Sequence, residues 1–179
     1  NFKISKPLAQ ELNKIFLEII VANGFEKNAL KILSSKKNLR LIDATKYSLN
    51  DNFKFSSING SILEQSEDNL FFSKKDFQVV SRKKPNKKQF EDLLFAFNIC
   101  RFVKSNAIVL ANKKTTVGIG SGQPSRLDSC KIAIDKMNKF YKIKDEIVAA
   151  SDAFFPFVDG IERLVQSGVT AVIQPAGSI

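Results

Sequence analysis

The feature that most constrains this chain is a rhythm. In its second half, short apolar runs rich in β-branched residues alternate with segments of helical spacing. The runs are 107–111, 115–119, 146–150 and 169–173. The helical segments are about 87–103, with Phe90, Leu93, Leu94, Phe97 and Cys100 on one stripe, then about 124–141, then 158–166. Ser167-Gly168 ends the last of these, and Asn112-Lys113-Lys114 supplies a turn between the first two runs. Runs of five residues are too short to be helices, and they read as strands. Strands alternating with helices bury their apolar faces against one another in layers, so this half reads as an α/β lobe.

The first half has a looser version of the same rhythm. Residues 7–14 have helical spacing, with Leu8, Leu12 and Ile15 on one face. Residues 16–21 are a short apolar run, read as a buried strand containing the single acid Glu18. A carboxylate inside a buried strand is costly unless paired, which makes Glu18 a candidate site residue; the other reading is a side chain pointing to solvent from a strand end. A helix over 26–33 and a strand over 39–42 follow. Residues 43–53 are polar and turn-like, 58–65 with Asn59-Gly60 form a strand or hairpin arm, and 77–80 are strand-like. The charged stretch 81–88 contains Pro85 and reads as a linker. The division is therefore into a first lobe, 1–80, and a second, 81–179.

Composition removes several function classes. With 179 residues, 44% of them apolar, a folded chain is the expectation. No apolar run approaches the roughly 20 residues that cross a bilayer. No apolar stretch follows the N-terminus as in a signal peptide, and the missing initial Met implies a start downstream of the natural one. The two cysteines, Cys100 and Cys130, read as buried reduced thiols of a cytosolic protein. With no His and no Cys-x-x-Cys, no zinc site is expected. The net charge of +10 comes from scattered lysines, often paired near element ends. It points to a lysine-rich surface or a site for anionic small molecules more than to a nucleic-acid groove.

Three constellations could carry chemistry. Lys104-Ser105-Asn106 sits at a helix–strand junction. An Asn offers two donors and an acceptor, fit to read an amide or stabilise a formyl oxygen, or simply to satisfy loop backbone. The segment 117–126 (VGIGSGQPSR) lies between a strand and a helix. Its alternating glycines could turn backbone amides toward an anion, or could permit tight packing; Arg126 could make a two-pronged contact with a carboxylate or phosphate. The segment 151–160 (SDAFFPFVDG) places three Phe around a Pro between Asp152 and Asp159. It could be an apolar slot for a planar heterocycle or a packed corner.

Taken in register, segments 104–108 (KSNAI), 116–126 (TVGIGSGQPSR), 150–160 (ASDAFFPFVDG) and 169–179 (VTAVIQPAGSI) resemble the AICAR transformylase domain of the enzyme family that also bears IMP cyclohydrolase. The likeness runs more weakly through the whole chain. Residues 15–20 (IFLEII) look like the family strand that carries an acidic substrate contact. The resemblance implies cytidine-deaminase-like layered lobes, an incomplete first and most of a second. It implies transfer of a formyl group from 10-formyltetrahydrofolate to the 5-amino group of AICAR, in a cytoplasmic homodimer. By resemblance Asn106 sits beside the transferring formyl group and Arg126 helps hold the substrates. Phe154, Pro156 and Phe157 pack by the ligands, Asp159 reads the pterin-like ring, and Glu18 meets AICAR. A monovalent cation, potassium, is implied near Ser105 and Asp152.

The family's central Lys-His pair and its His-containing tail have no counterpart here, and His is absent altogether. The resemblance therefore implies a fragment that positions reactants without moving the proton. Pro124 and Val158 also depart from many relatives. A reading from another class is a non-catalytic basic α/β module that holds a nucleotide, a folate or RNA.

Overall fold

The computed structural model describes residues 2–47, 53–142 and 145–177. Residues 48–52 of the turn-like stretch, and the Ser178-Ile179 end of the last motif, lie outside the described residues. The fold is mixed α/β, as the rhythm of the sequence predicts. The chain divides into two compact units, Asn1–Glu67 and Asp68–Ile179.

The first unit opens with α1 (Lys6–Leu12), which starts at Pro7 in its first turn. Strands β1 (Ile19–Ala22) and β2 (Arg40–Asp43) pair in parallel, with α2 (Lys27–Leu33) between them in sequence. A small core gathers Ile4, Ala9, Ile20, Ala22, Ala29 and Leu33. The run 16–21 is thus not a wholly buried strand. It pairs only from Ile19, Phe16 is 87% exposed, and burial alternates from Ile19 to Ala22, because only one face has a core to meet. Glu18 precedes the strand and is exposed; its backbone carbonyl accepts the Arg40 amide at 2.9 Å. The Asn59-Gly60 signal is a true hairpin turn. It joins β3 (Phe53–Ile58) to β4 (Ser61–Ser66) in antiparallel register, with every residue of both strands exposed.

The second unit holds a four-stranded sheet, in the order β6-β5-β7-β8. These are β5 (Ile108–Asn112), β6 (Thr115–Gly120), β7 (Ile147–Ser151) and β8 (Val169–Ile173). β5 pairs antiparallel with both β6 and β7, and β7 pairs parallel with β8. Helix α3 (Lys87–Cys100) covers one face through Leu93, Ala96 and Cys100 against Val109, Ala111, Val148 and Ala150. Helices α4 (Arg126–Phe140) and α5 (Val158–Gln166) cover the other, through Cys130, Ala133, Met137 and Leu164 against Ile108, Leu110, Val117, Ile147 and Ala149. Strands β5 and β7 are buried along their whole length, as a doubly covered sheet requires. Burial pushes the Cys100 thiol up to about 12 and that of Cys130 up to about 11, so neither is a nucleophile at neutral pH. No helix among the described residues is long and apolar enough to cross a membrane.

Two details of this unit were not anticipated. Asp92 on α3 is 2% exposed, yet its carboxylate accepts the backbone amides of Lys113 at 2.8 Å and Lys114 at 2.7 Å in the β5–β6 turn. Residues 77–80, expected as a strand, join no sheet among the described residues. Phe77 instead packs its ring on Phe72 and Phe97, at centroid distances of 5.8 and 5.2 Å, and side-chain anchoring replaces a hydrogen-bonded ladder.

The alternating glycines serve packing. A Cβ at Gly118 would lie 2.1 Å from the Ala133 carbonyl oxygen, and one at Gly120 would lie 1.9 Å from that of Ser129. Glycine at both positions lets β6 lie directly on the backbone of α4. Gly120→Ala is therefore expected to destabilise the chain by about 3 kcal/mol, since the clash is with backbone and cannot be relieved by a rotamer change. The shift in the urea unfolding midpoint measures it, and an unchanged midpoint contradicts this packing role.

Candidate functional site

The first and third motifs meet at one end of the sheet. Ser105 and Asn106 lead into β5, and Ser151 and Asp152 close its neighbour β7. Arg126 opens α4, directly behind the glycine-rich turn of the second motif. The sheet register thus brings together side chains from three separate loops. The Ser105–Asn106 peptide bond is cis.

Asp152 is the hub. Its Oδ1 accepts from Arg126 Nη1 at 2.5 Å and from the Ala107 amide at 2.9 Å, and its Oδ2 accepts from the Ser105 hydroxyl. Arg126 Nη1 also donates to Ser151 Oγ at 2.8 Å, and Nη2 donates to Asn106 Oδ1 at 2.8 Å. The Asn106 amide nitrogen donates to the backbone carbonyls of Gln123 at 2.8 Å and Pro124 at 3.2 Å. The side chains of Arg126 and Asp152 are only 12% and 17% exposed, so the pair lies in partial shelter from water. Desolvation pushes the Asp152 carboxyl upward. Hydrogen bonds from Ser105, Arg126 and Ala107 outweigh that and hold it below the ordinary carboxylate range.

The aromatic run splits. Phe154 is half-buried and packs on Gly177; Phe155 turns inward, its ring centroid 6.0 Å from the Arg126 guanidinium and close against Gly160. The Phe155 amide donates to Gln174 Oε1 at 3.0 Å, tying the loop to the end of β8. Pro156 and Phe157 are exposed, and so is Asp159 in the first turn of α5, where it accepts the Gly160 amide at 2.7 Å. The geometry therefore joins Ser105, Asn106, Arg126 and Asp152 into one network. Pro156, Phe157 and Asp159 form an open surface nearby in sequence, and Glu18 belongs to the first unit.

Sequence reasoning missed Ser129, whose hydroxyl donates to the Asn106 carbonyl at 2.8 Å, and Ser151, which is buried and accepts from Arg126. A small polar residue inside an apolar run was the available signal for Ser151. The site network is distinct from the cavity of about 790 Å³ beside the edge of β8, which is lined by α3, β8 and residues 76–85. That cavity is mainly apolar, and its Gln89 is already bonded to Asn86 and Thr170.

The family model described as AICARFT/IMPCHase bienzyme matches residues 1–136. The chain belongs to the AICARFT/IMPCHase bienzyme family. Among relatives, it is 43% identical over 180 residues to the bifunctional purine biosynthesis protein PurH of Caldicellulosiruptor bescii, covering 100% of this chain and 34% of the relative. Proteins of the same name from Lactobacillus acidophilus and Aquifex aeolicus are 42% and 43% identical, each covering 100% of this chain and 35% of theirs. The chain thus spans about a third of the length of the curated bienzyme relatives it matches.

The Asp152 carboxylate is stabilised as an anion in the folded state, so its contribution is present above the unfolded carboxyl range and is lost as pH falls through its lowered folded value. Asp152→Asn is expected to cost about 2 kcal/mol at pH 7. The gap between wild type and variant should narrow as pH falls from about 5 to 2. Urea titrations across that range test this, and a pH-independent gap is the contrary result.

Proposed function

We infer that this chain is part of the formyl-transferring half of a bifunctional purine-biosynthesis enzyme, which moves the formyl group of 10-formyltetrahydrofolate to the 5-amino group of AICAR and yields FAICAR. The observation that carries this reading is the convergence of Asn106 and Arg126 with Ser105 and Asp152, in a family member alike over its whole length. IMP cyclohydrolase is assigned to the parent protein outside these 179 residues. The working unit is a cytoplasmic homodimer acting on small molecules, not nucleic acid.

The AICAR amine is a weak nucleophile, because its lone pair is delocalised into the ring and carboxamide. Its nitrogen attacks the formyl carbon, a C–N bond forms, and the carbonyl electron pair moves to oxygen. Collapse breaks the bond to the folate N10, which takes up a proton as the amine nitrogen gives one up. The chain's contribution is to orient the reactants through Asn106 and the network behind it. Glu18, Arg126, Phe154, Pro156, Phe157 and Asp159 are assigned as ligand contacts, the exposed aromatic and acidic groups suiting a planar, nitrogen-rich ring. A potassium ion near Ser105 and Asp152 would find hydroxyl lone pairs but a carboxylate already neutralised by Arg126, and no step is routed through it.

No His is present, and burial raises both thiols far above neutrality. By the family resemblance, the proton carrier is assigned to the Lys-His pair that has no counterpart in these 179 residues. The purified 179-residue chain is expected to show no formyl transfer, while the parent turns over AICAR with 10-formyltetrahydrofolate. In the parent, Asn106→Ala should lower kcat by about 100-fold and change KM much less. Steady-state assays decide it; an inactive parent removes the reading, and an unchanged kcat removes Asn106 from the chemistry.

A further inference from the structure

The Asn106 side chain has four possible hydrogen-bonding directions, and the structure commits all but one. Its Nδ2 carries two hydrogens. One goes to the Gln123 carbonyl at 2.8 Å and the other to the Pro124 carbonyl at 3.2 Å. Its Oδ1 has two lone pairs, and Arg126 Nη2 takes one at 2.8 Å. This polarity is not a matter of choice between two similar ends of an amide. A guanidinium only donates and a carbonyl only accepts. Turning the amide over would set hydrogens against hydrogens at Arg126 and oxygen against two oxygens at Gln123 and Pro124. What Asn106 can still offer to an incoming molecule is one oxygen lone pair.

The guanidinium that enforces this is itself aimed from behind. Both hydrogens of Arg126 Nη1 are engaged, one by Ser151 Oγ at 2.8 Å and one by Asp152 Oδ1 at 2.5 Å. Ser151 is in turn set by donating to the Ala153 carbonyl at 2.6 Å, and Asp152 by the Ala107 amide and the Ser105 hydroxyl. Two fixed acceptors on one Nη set the plane of a rigid fork, so the other Nη has one direction to point. That direction is Asn106.

We propose that Asp152, acting through Arg126, is a positioning residue that locks the Asn106 amide in one orientation, so that Asn106 meets its substrate as an acceptor of an amine N–H and not as a donor to the formyl oxygen. The proposal rests on the formyl-transfer reading. Accepting one N–H of the attacking amine turns its nitrogen toward the formyl carbon, which a delocalised, weak nucleophile needs. The oxygen that gains charge in the attack is stabilised by groups other than Asn106. Removing Asp152 leaves Asn106 in place chemically but frees Arg126 to swing, and the amide with it.

Two measurements test this. In the parent protein, Asp152→Asn is expected to lower kcat on the order of 100-fold with KM for AICAR and 10-formyltetrahydrofolate within about threefold. A kcat within threefold of wild type overturns the positioning role. So does a loss confined to KM. In the 179-residue chain, the two Asn106 side-chain amide protons are read by NMR. The lock predicts two separate resonances that exchange with solvent at least about 100-fold more slowly than those of a free asparagine, an order of protection set by closing both bonds. Exchange at the free rate overturns the lock, even if the Asp152 variant fails to fold. Wild-type parent that transfers no formyl group sinks the formyl-transfer reading instead, and the amide exchange still decides the orientation.

Discussion

The contact between Arg126 and Asp152 ties together loops that are 26 positions apart in sequence. Without it, Asp152 would still hold the lead into β5 through Ser105 and Ala107, and Asn106 would still bond the turn before α4, but no side chain of α4 would reach Asp152 at the exit from β7. With it, one sheltered ion pair reaches Ser105, Ala107, Ser151 and Asn106 in a single network. A partly buried pair of this kind is a poor source of raw stability, because desolvation offsets most of the attraction. Its value lies in geometry. A planar guanidinium held at two points transmits orientation to a third, and the third is the Asn106 amide.

The network can sit where it does because the sheet beneath it is rigid. Strands β5 and β7 are covered on both faces, and the sequence positions that end them, Asn106 and Asp152, inherit that fixity. The close approach of β6 to α4 has the same consequence. Gly118 and Gly120 remove the space a side chain would need, so the helix that begins with Arg126 lies directly on the strand that precedes the turn. The glycine-rich motif thus aims Arg126 by packing.

Much of the second unit was legible in the sequence. The alternation of runs and stripes located β5 to β8 to within a residue or two, because strands buried on both faces leave near-continuous apolar runs. The three motifs were also visible, but their partnership was not. Nothing local in Arg126 says that its acceptors are Asp152 and Asn106, since that depends on β5 lying beside β7. The stripe of α3 was read from apolar residues alone, so buried Asp92 escaped notice; its partners are 21 and 22 positions away. Residues 77–80 have strand-like composition, but a strand also needs a partner, and their anchor is the aromatic contact of Phe77. In the first unit, Phe53–Ile58 was missed because a polar stretch runs into it, and only pairing with β4 defines it.

Asp92 has a consequence for how this scaffold can vary. Its carboxylate reaches from a helix to two successive amides of a hairpin turn, so the turn is gauged against the helix and not merely closed on itself. An added residue there would pull one amide away and leave a buried anion half-served, whereas the wholly exposed β3–β4 hairpin has no such gauge. Length variation and grafted sequences should therefore collect at the tip of the outer hairpin and avoid the inner one. The inner hairpin keeps one length for the same reason a bolt keeps one thread.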